Sequence, residues 1–368
     1  MKKRIAKNLE WSILICTILL VIIGLFAIYS ATINSGLEEF KKQIIWIIIS
    51  IPFLIAVILI DYDTIAKFSP ILYGIILLAL IAVLFTSPIS GATSWFSFGI
   101  FSIQPSEFAK IILVLFLALI MSRMMKKGTK EINRPTRLLL LLLVIGVPLL
   151  LIIKQPDYGT AIAFIVAFMF MLFVGGINKK YIISGILLVV ITVPLLYIFI
   201  LPEHAKKRID VFLNPEIDPR GSGYNLTQSK LAIGAGELLG MGLLKGNQTQ
   251  LGFLYPKSTD FIFSVIGEEM GFIIAAAIII LYVVLITKAI FISKTAKDDL
   301  GALICAGIVG IFFFHMIENI GMTMGLLPIT GVPLPFVSYG GSSMLSNFIM
   351  IALLLNISGR RQKAIFME

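Results

Sequence analysis

Charged residues are scarce in this 368-residue chain, where Asp, Glu, Lys and Arg together make up only 14%. A soluble domain has about 25% charged and roughly 45–50% apolar residues, whereas 58% of this chain is apolar. The scarcity of charge therefore excludes a soluble enzyme of two domains, and the apolar content excludes a disordered chain.

Histidine and cysteine are also scarce, with two residues of each. Cys16 and Cys305 both lie inside apolar runs, which predicts buried thiols and says nothing about the redox compartment. The segment HMIEN, residues 315–319, places a His, a Glu and an Asn on one helix face. A metal site in a helical bundle needs further ligands from other helices, and the only other histidine is His204. We therefore interpret this face as a structural polar network.

Several catalytic motifs are missing from the sequence. It contains no P-loop, no H-E-x-x-H and no G-x-S-x-G. The glycine-rich stretch at residues 234–242 has the wrong spacing for a phosphate loop and no strand before it. These absences argue against ATP-driven transport within this chain.

Long unbroken apolar runs are what the sequence does contain. A helix needs about 20 apolar residues to cross the hydrocarbon core of a bilayer, and the weak alternation typical of a membrane β-barrel is not seen. We predict an all-α, polytopic integral membrane protein with one transmembrane domain over residues 1–368. Its ten predicted transmembrane helices cover about residues 11–31, 43–60, 70–86, 106–122, 137–153, 158–175, 181–201, 260–287, 300–327 and 341–357.

The distribution of basic residues predicts the orientation, because short cytoplasmic connections carry an excess of Lys and Arg. With the N-terminus inside, the cytoplasmic connections hold 19 basic residues and the short external ones hold 3. We therefore expect both termini in the cytoplasm, and the net charge of +10 needs no nucleic-acid partner. A large extracytoplasmic loop, about residues 202–259, then lies between helices 7 and 8.

Two external segments are unusual. Residues 87–105 carry no charge but include Trp95 and several Phe, which predicts a location in the outer membrane interface. Residues 228–244 of the large loop are apolar and rich in glycine but too short to span a bilayer. We expect this second segment to lie on the membrane surface or to re-enter the membrane.

Ionisable groups inside or beside the spans mark candidate sites, because charge is costly in a bilayer. Glu107 and Lys110 face the same side of the fourth span. This pair either neutralises charge within the bundle or lines a cavity in which Lys110 meets a phosphate. Asp157 either caps the sixth helix or contributes to a site on the outer face.

Asp260 stands at the predicted outer boundary of the eighth span, with Thr259 before it and apolar residues after it. Partial burial raises the pKa of a carboxyl towards the range useful for a general base, although a helix N-cap is the simpler interpretation. Glu268 and Glu269 lie about 12 Å deeper along the helix. They need partners or a water-filled cavity, and Lys110 is one candidate partner.

The stretch NIGMTMGLLPITGVPLPFVSYGGSS, residues 319–343, resembles the signature of the SEDS family of shape, elongation, division and sporulation proteins. The similarity extends over nearly the whole chain and includes QPSEFAK at 104–110, QPDYGTA at 155–161 and TDFIFSVIGEE at 259–269. The large loop is more similar to RodA members than to FtsW members. The signature positions that match are Asn319, Gly325, Pro328, Gly331, Pro333, Ser338, Tyr339, Gly340, Gly341 and Ser342.

One motif departs from the family pattern. Family members often have Pro-Glu-x-His just before the Thr-Asp-Phe sequence, whereas this chain has Pro256, Lys257 and Ser258 there. A role for that Glu or His therefore does not carry over, while Thr259 and Asp260 are retained.

The resemblance implies a peptidoglycan glycosyltransferase of the bacterial cytoplasmic membrane that polymerises lipid II for cell elongation and shape. It also implies a class B penicillin-binding protein as partner, which supplies the transpeptidase. Asp260 matches the family's essential aspartate, and Glu107, Lys110 and Asp157 match polar positions of the family's central cavity. We also assign substrate binding to Thr259, Lys257, Glu268, Ser338 and Ser342.

This chemistry suits the residues found above. The acceptor is a sugar hydroxyl that needs a base as it attacks the anomeric carbon of the donor, and we predict that Asp260 is this base. The leaving group, undecaprenyl pyrophosphate, needs positive charge. Lys110, and after it Lys257 or Arg208, would supply that charge, or a divalent cation such as Mg²⁺ or Mn²⁺ would do so. No set of metal ligands is evident in the sequence.

Two other functions use the same features. A flippase or transporter for the lipid-linked precursor would need the intramembrane charges but not a base at Asp260, and an inverted repeat would support it. A non-catalytic scaffold for the penicillin-binding protein would need neither the intramembrane charges nor a base at Asp260.

Overall fold

The computed structural model describes residues 9–88, 93–99, 101–128, 131–199 and 202–361. Helices dominate it, as predicted, and a short antiparallel hairpin pairs β1 (Phe96–Phe98) with β2 (Phe101–Ile103). The helices in chain order are α1 Trp11–Thr32, α2 Glu38–Leu59, α3 Tyr62–Val83, α4 Pro105–Met125, α5 Pro135–Lys154, α6 Tyr158–Val174, α7 Lys179–Phe199, α8 Glu203–Leu213, α9 Ser222–Ala235, α10 Asn247–Gln250, α11 Ile262–Lys294, α12 Asp299–Thr323 and α13 Gly341–Arg360.

Every predicted span overlaps one of these helices. Over the described ranges, nine helices are long and apolar enough to cross a membrane, while α6 is shorter at 17 residues. The chain is thus a multi-pass membrane protein, and the count of ten spans and the cytoplasmic termini stay predictions. Parts of the segments used for the orientation and interface predictions, residues 1–8, 89–92, 100, 129–130 and 362–368, lie outside the described residues.

Two helices begin earlier than predicted. Helix α2 begins at Glu38 and α3 at Tyr62, whereas the apolar runs begin at about residues 43 and 70. Their first turns carry acidic residues, Glu38 and Glu39 in α2 and Asp63 in α3. Negative charge stabilises the N-terminus of a helix, so each helix extends beyond its apolar run.

The core of the molecule is built around α12. This helix packs against α4, α6 and α11, and α13 packs mainly against α2. Helices α12 and α13 are buried along most of their length, whereas α2, α3, α5 and α7 expose many large apolar side chains. Cys16 and Cys305 are both buried and free, as predicted. The exposed apolar faces are those that a bilayer would cover.

Helix α11 is broken at Gly271, whose φ of 76° and ψ of −177° are not helical. A positive φ favours glycine. The large loop satisfies the backbone groups that the break frees. The carbonyls of Glu268 and Glu269 accept hydrogen bonds from segment 237–242, and the amides of residues 272–273 donate to it, at 2.9–3.2 Å. The glycine-rich segment thus packs against the broken helix, and its location on the membrane surface or within the membrane stays a prediction.

Candidate active site

Asp260 lies half-buried in the turn that leads into α11. Its backbone carbonyl accepts a hydrogen bond of 3.0 Å from Nδ2 of Asn319, near the end of α12. The same Nδ2 donates to the carbonyl of Val332 at 2.8 Å. Asn319 therefore joins the end of the large loop to the signature loop between α12 and α13, and Asp260 lies at this junction.

The signature loop approaches the Asp260 carboxylate through Gly331. A β-carbon built at residue 331 would lie 3.3 Å from Oδ2 of Asp260. Gly331 also has a φ of 77°, in the left-handed region that favours glycine. The glycine of the signature thus permits the backbone to come close to this carboxylate.

Arg208 of α8 brings positive charge to the same place. Its Nη1 donates to the carbonyl of Thr330 at 3.1 Å, one residue before Gly331. Burial raises the pKa of Asp260, while Thr259 and the Arg208 charge act against this rise by favouring the ionised form. The site therefore combines a carboxyl of raised pKa, as a general base requires, with a cation suited to a phosphate.

Asp157 caps α6, as one of its two interpretations predicted. Its Oδ1 accepts a hydrogen bond of 3.1 Å from the amide of Thr160. Its Oδ2 accepts from Nε2 of Gln104 at 3.0 Å and from Oγ of Ser106 at 3.3 Å. The carboxylate thus joins the starts of α4 and α6. Gln104 was not singled out in the sequence, although it opens the QPSEFAK motif.

Asp157 lies at the same end of the bundle as Asp260. A β-carbon at Gly159, in the first turn of α6, would lie 2.2 Å from Cγ2 of Val332 in the signature loop. The start of α6 therefore packs directly on the loop that approaches Asp260.

Glu107 and Lys110 form a closed ion pair. Nζ of Lys110 lies 2.9 Å from Oε1 of Glu107, and Oε2 of Glu107 accepts from Oγ of Ser346 at 2.7 Å. Lys110 is only 1% exposed. Of the two interpretations of this pair, the geometry agrees with charge neutralisation within the bundle.

His315 completes this buried network. Its Nδ1 lies 3.1 Å from the carbonyl of Pro333, which can only accept, so Nδ1 carries the proton. Nε2 is then an acceptor for Nζ of Lys110 at 3.1 Å. Since His315 precedes Asn319 by one helical turn, the network lies about 6 Å deeper than the Asp260 junction.

The polar face of α12 is therefore a structural network, as predicted, but its members have separate partners. His315 contacts Lys110, Asn319 holds the Asp260 turn, and Glu318 accepts a hydrogen bond of 2.8 Å from Oγ1 of Thr330. Each side chain holds a different part of the surrounding structure.

The carboxylate of Glu268 is buried and is surrounded by hydrogen-bond donors of the large loop. Its carboxylate accepts hydrogen bonds from the amides of Gln248 and Thr249 at 2.7 and 3.0 Å and from Oγ1 of Thr249 at 2.6 Å. Glu269 likewise accepts from the amides of Leu244 and Gly246 at 3.1 and 3.3 Å. The suggestion that Lys110 pairs with these carboxylates is wrong, because loop amides occupy them.

Lys257, Ser338 and Ser342 also have internal partners. Nζ of Lys257 donates to the carbonyl of Thr249 at 2.8 Å, and burial lowers its pKa. Oγ of Ser338 donates to the carbonyl of Thr259 at 2.7 Å. Oγ of Ser342 accepts from the amide of Gln104 at 3.0 Å. These bonds connect the loops and helix ends at this end of the molecule, and the assignment of Lys257, Ser338 and Ser342 to substrate binding stays a prediction.

No group of three or more His, Cys, Asp and Glu side chains that could hold a metal ion occurs within the described ranges. Mg²⁺ is commonly bound by one or two carboxylates together with substrate phosphates. Asp260 beside a pyrophosphate would fit that pattern.

The chain is similar to known proteins over nearly its full length. The family of cell cycle proteins FtsW, RodA and SpoVE matches residues 10–363. Peptidoglycan glycosyltransferase MrdB of Escherichia coli K12 is 34% identical over 357 residues, 96% of this chain and 95% of that protein. Peptidoglycan glycosyltransferase RodA of Treponema pallidum is 31% identical and covers 98% of this chain and 100% of its own length.

The fold is also similar to a solved structure. A chain from a study of structural coordination of polymerization and crosslinking by a peptidoglycan synthase complex superposes with a TM-score of 0.82. It is 25% identical and covers 95% of this chain and 97% of its own length. With its signature loop, its helices and these full-length matches, the chain belongs to the FtsW, RodA and SpoVE family of cell cycle proteins.

Proposed function

We propose that this protein is a peptidoglycan glycosyltransferase that polymerises lipid II into glycan strands outside the bacterial cytoplasmic membrane. The observation that carries the proposal is the similarity to the E. coli glycosyltransferase over 96% of the chain. The half-buried Asp260, at the junction of the large loop and the signature loop, supports it chemically.

In the proposed reaction, Asp260 accepts the proton of the acceptor hydroxyl as the hydroxyl oxygen bonds to the anomeric carbon of the donor. The bond from that carbon to the pyrophosphate breaks, and its electron pair leaves with undecaprenyl pyrophosphate. Arg208 stabilises the charge that develops on the leaving group. Thr259 favours the ionised form of Asp260, which is the form that can accept a proton.

The charges of the pyrophosphate need more than one cation. Lys257 is the next basic side chain in the same loop, and its lowered pKa follows from burial. A divalent cation such as Mg²⁺ or Mn²⁺, which Asp260 would help to hold, would be the other source of positive charge for the leaving group. Lys110 would reach a phosphate only if its buried network opened.

The partner that we propose is a class B penicillin-binding protein. A polymerase that makes glycan strands needs a transpeptidase to crosslink them, and the similar solved structure comes from a complex that coordinates both steps. The relatives named MrdB and RodA support a role in elongation and cell shape. Exposed apolar helices would keep the lipid tails of substrate and product in the bilayer.

The decisive experiment is gel analysis of glycan strands made from lipid II by the purified full chain, with and without the penicillin-binding protein. We expect polymer from the parental chain and none from Asp260→Ala. Glu216→Ala, which removes an exposed carboxylate of the same loop, is the matched control and should retain activity.

Two outcomes would replace the proposal. Movement of labelled lipid II across vesicles without any polymer would identify a flippase. Absence of polymer from the parental chain in every mixture, together with a preserved complex with the penicillin-binding protein, would identify a scaffold. Polymerisation by Asp260→Ala at the parental rate would leave the enzyme but remove its assigned base.

A further inference from the structure

A cleft of about 210 Å³ lies at the end of α4 remote from Asp157. It is formed by the last turns of α4, the turn at 131–133 and the start of α5. We call it the basic cleft, because three of its lining side chains are Arg123, Lys127 and Arg137. A liquid water molecule takes about 30 Å³, so a phosphate group with some water fits this volume.

The three cations of the basic cleft have no ion-pair partner within the part of the chain that the structure describes. The one carboxylate in the lining, Glu131, is already paired with Arg134, whose Nη2 lies 2.7 Å from it. Like charges that surround one small space repel each other. The arrangement is therefore electrostatically complementary to an anion that the described residues do not supply.

The rest of the lining is apolar and continues towards the membrane-facing surface. Ile120, Met124 and Leu140 form the walls of the cleft. Beyond it, Leu139 and Leu143 of α5 are each 58% exposed. A ligand seated in the cleft could thus place a charged group among the cations and a hydrocarbon chain along α5.

We infer that the basic cleft binds the phosphate of an anionic phospholipid of the adjacent leaflet. Basic pockets between transmembrane helices on the cytoplasmic side bind such headgroups, and Arg suits phosphate because its guanidinium forms paired hydrogen bonds. The predicted orientation places this cleft at the cytoplasmic end. The inference is independent of Asp260 and of the proposed polymerase activity.

Native mass spectrometry of the full chain in a neutral detergent, titrated with phosphatidylglycerol, tests this site. The variant combines Arg123→Gln, Lys127→Gln and Arg137→Gln. Each basic side chain near an anionic surface contributes roughly a fivefold factor, so we expect about 100-fold weaker binding. The matched control, Lys126→Gln with Lys179→Gln and Lys180→Gln, removes three exposed cations that do not line the cleft, and it should stay within about threefold of the parent.

Three results would overturn the inference. An equal loss in the control variant would mean a general effect of charge, and equal binding of phosphatidylcholine would mean an apolar site only. Displacement of phosphatidylglycerol by millimolar inorganic phosphate would mean a site for soluble anions. Helix content and elution volume check folding, and if the triple variant does not fold, Arg137→Gln alone should weaken binding about fivefold.

Discussion

Asp260 and Glu268 are two carboxylates only eight residues apart at the start of α11, yet their environments are opposite. Glu268 is fully buried and accepts two loop amides and one hydroxyl. Asp260 is half-buried, and across the described residues no backbone amide donates to its carboxylate. The sequence alone makes both candidates for a site.

The comparison indicates that the number of hydrogen-bond donors around a buried carboxylate distinguishes a carboxylate that stabilises the fold from one that can accept a proton in catalysis. A carboxylate whose oxygens already accept several hydrogen bonds loses acceptor capacity when it takes up a proton, and some of those donors are then left unsatisfied. A carboxylate held by its backbone, as Asp260 is through Asn319, can accept a proton while its position is kept. Asp260 has the second kind of environment.

The largest expected effect is on catalysis. Asp260→Asn removes the proposed base but keeps the size of the side chain, so the rate of lipid II polymerisation should fall by about 10²–10⁴-fold. The free energy of unfolding in a denaturing-detergent titration should stay close to that of the parent. Glu216→Gln, on the exposed part of the same loop, is the control and should change neither quantity.

The second prediction concerns the other carboxylate. Glu268→Ala leaves two amides and a hydroxyl of the loop without their acceptor. Each unsatisfied buried group costs about 1–3 kcal/mol, so the free energy of unfolding should drop by roughly 3 kcal/mol or more. The same detergent titration measures it. If Glu268→Ala were as stable as the parent but inactive, Glu268 would belong with Asp260 in the chemistry, and the comparison would fail.

The positions of the helices and of Asp260 could be predicted from the sequence because their causes are local. Apolar length sets the spans, and Asp157 directly before a helix suits an N-cap. A Thr-Asp pair at the boundary of an apolar run already indicates a partly buried carboxylate.

The partners of the buried charges could not be predicted, because they depend on contacts between distant parts of the chain. Lys110 meets His315, which is 205 residues away. Glu268 meets a loop that reaches it only because α11 is broken at Gly271 and segment 237–242 pairs with the break. No local pattern in the sequence specifies that insertion.

The third prediction concerns the pH dependence of the site. The charge of Arg208 favours the ionised form of Asp260, so Arg208→Gln should raise the pKa of that carboxyl further above its ordinary value. The polymerisation rate should fall with decreasing pH as the base becomes protonated, and this fall should begin at a higher pH in the variant.

A pH–rate profile with lipid II measures the shift, and Arg220→Gln, an exposed arginine of the same loop, is the control. A lower rate at every pH, with the acid limb unmoved, would mean that Arg208 acts on the leaving group alone and does not influence Asp260.

The smallest expected effect concerns Asp157, whose carboxylate resembles that of Glu268 more than that of Asp260 in the number of hydrogen bonds it accepts. It accepts the Thr160 amide and two side-chain donors from the start of α4. Unlike Glu268, Asp157 is only partly buried, so water can replace the carboxylate as an acceptor. Loss of an N-cap costs about 0.5–2 kcal/mol, so Asp157→Ala should lower the free energy of unfolding by that amount, and Asp157→Asn should restore most of it. Polymerisation by the folded Asp157→Ala variant should stay within a few-fold of the parental rate. A loss as large as that of Asp260→Asn would show that a well-satisfied carboxylate can still take part in the reaction, and the donor count would no longer distinguish the two classes.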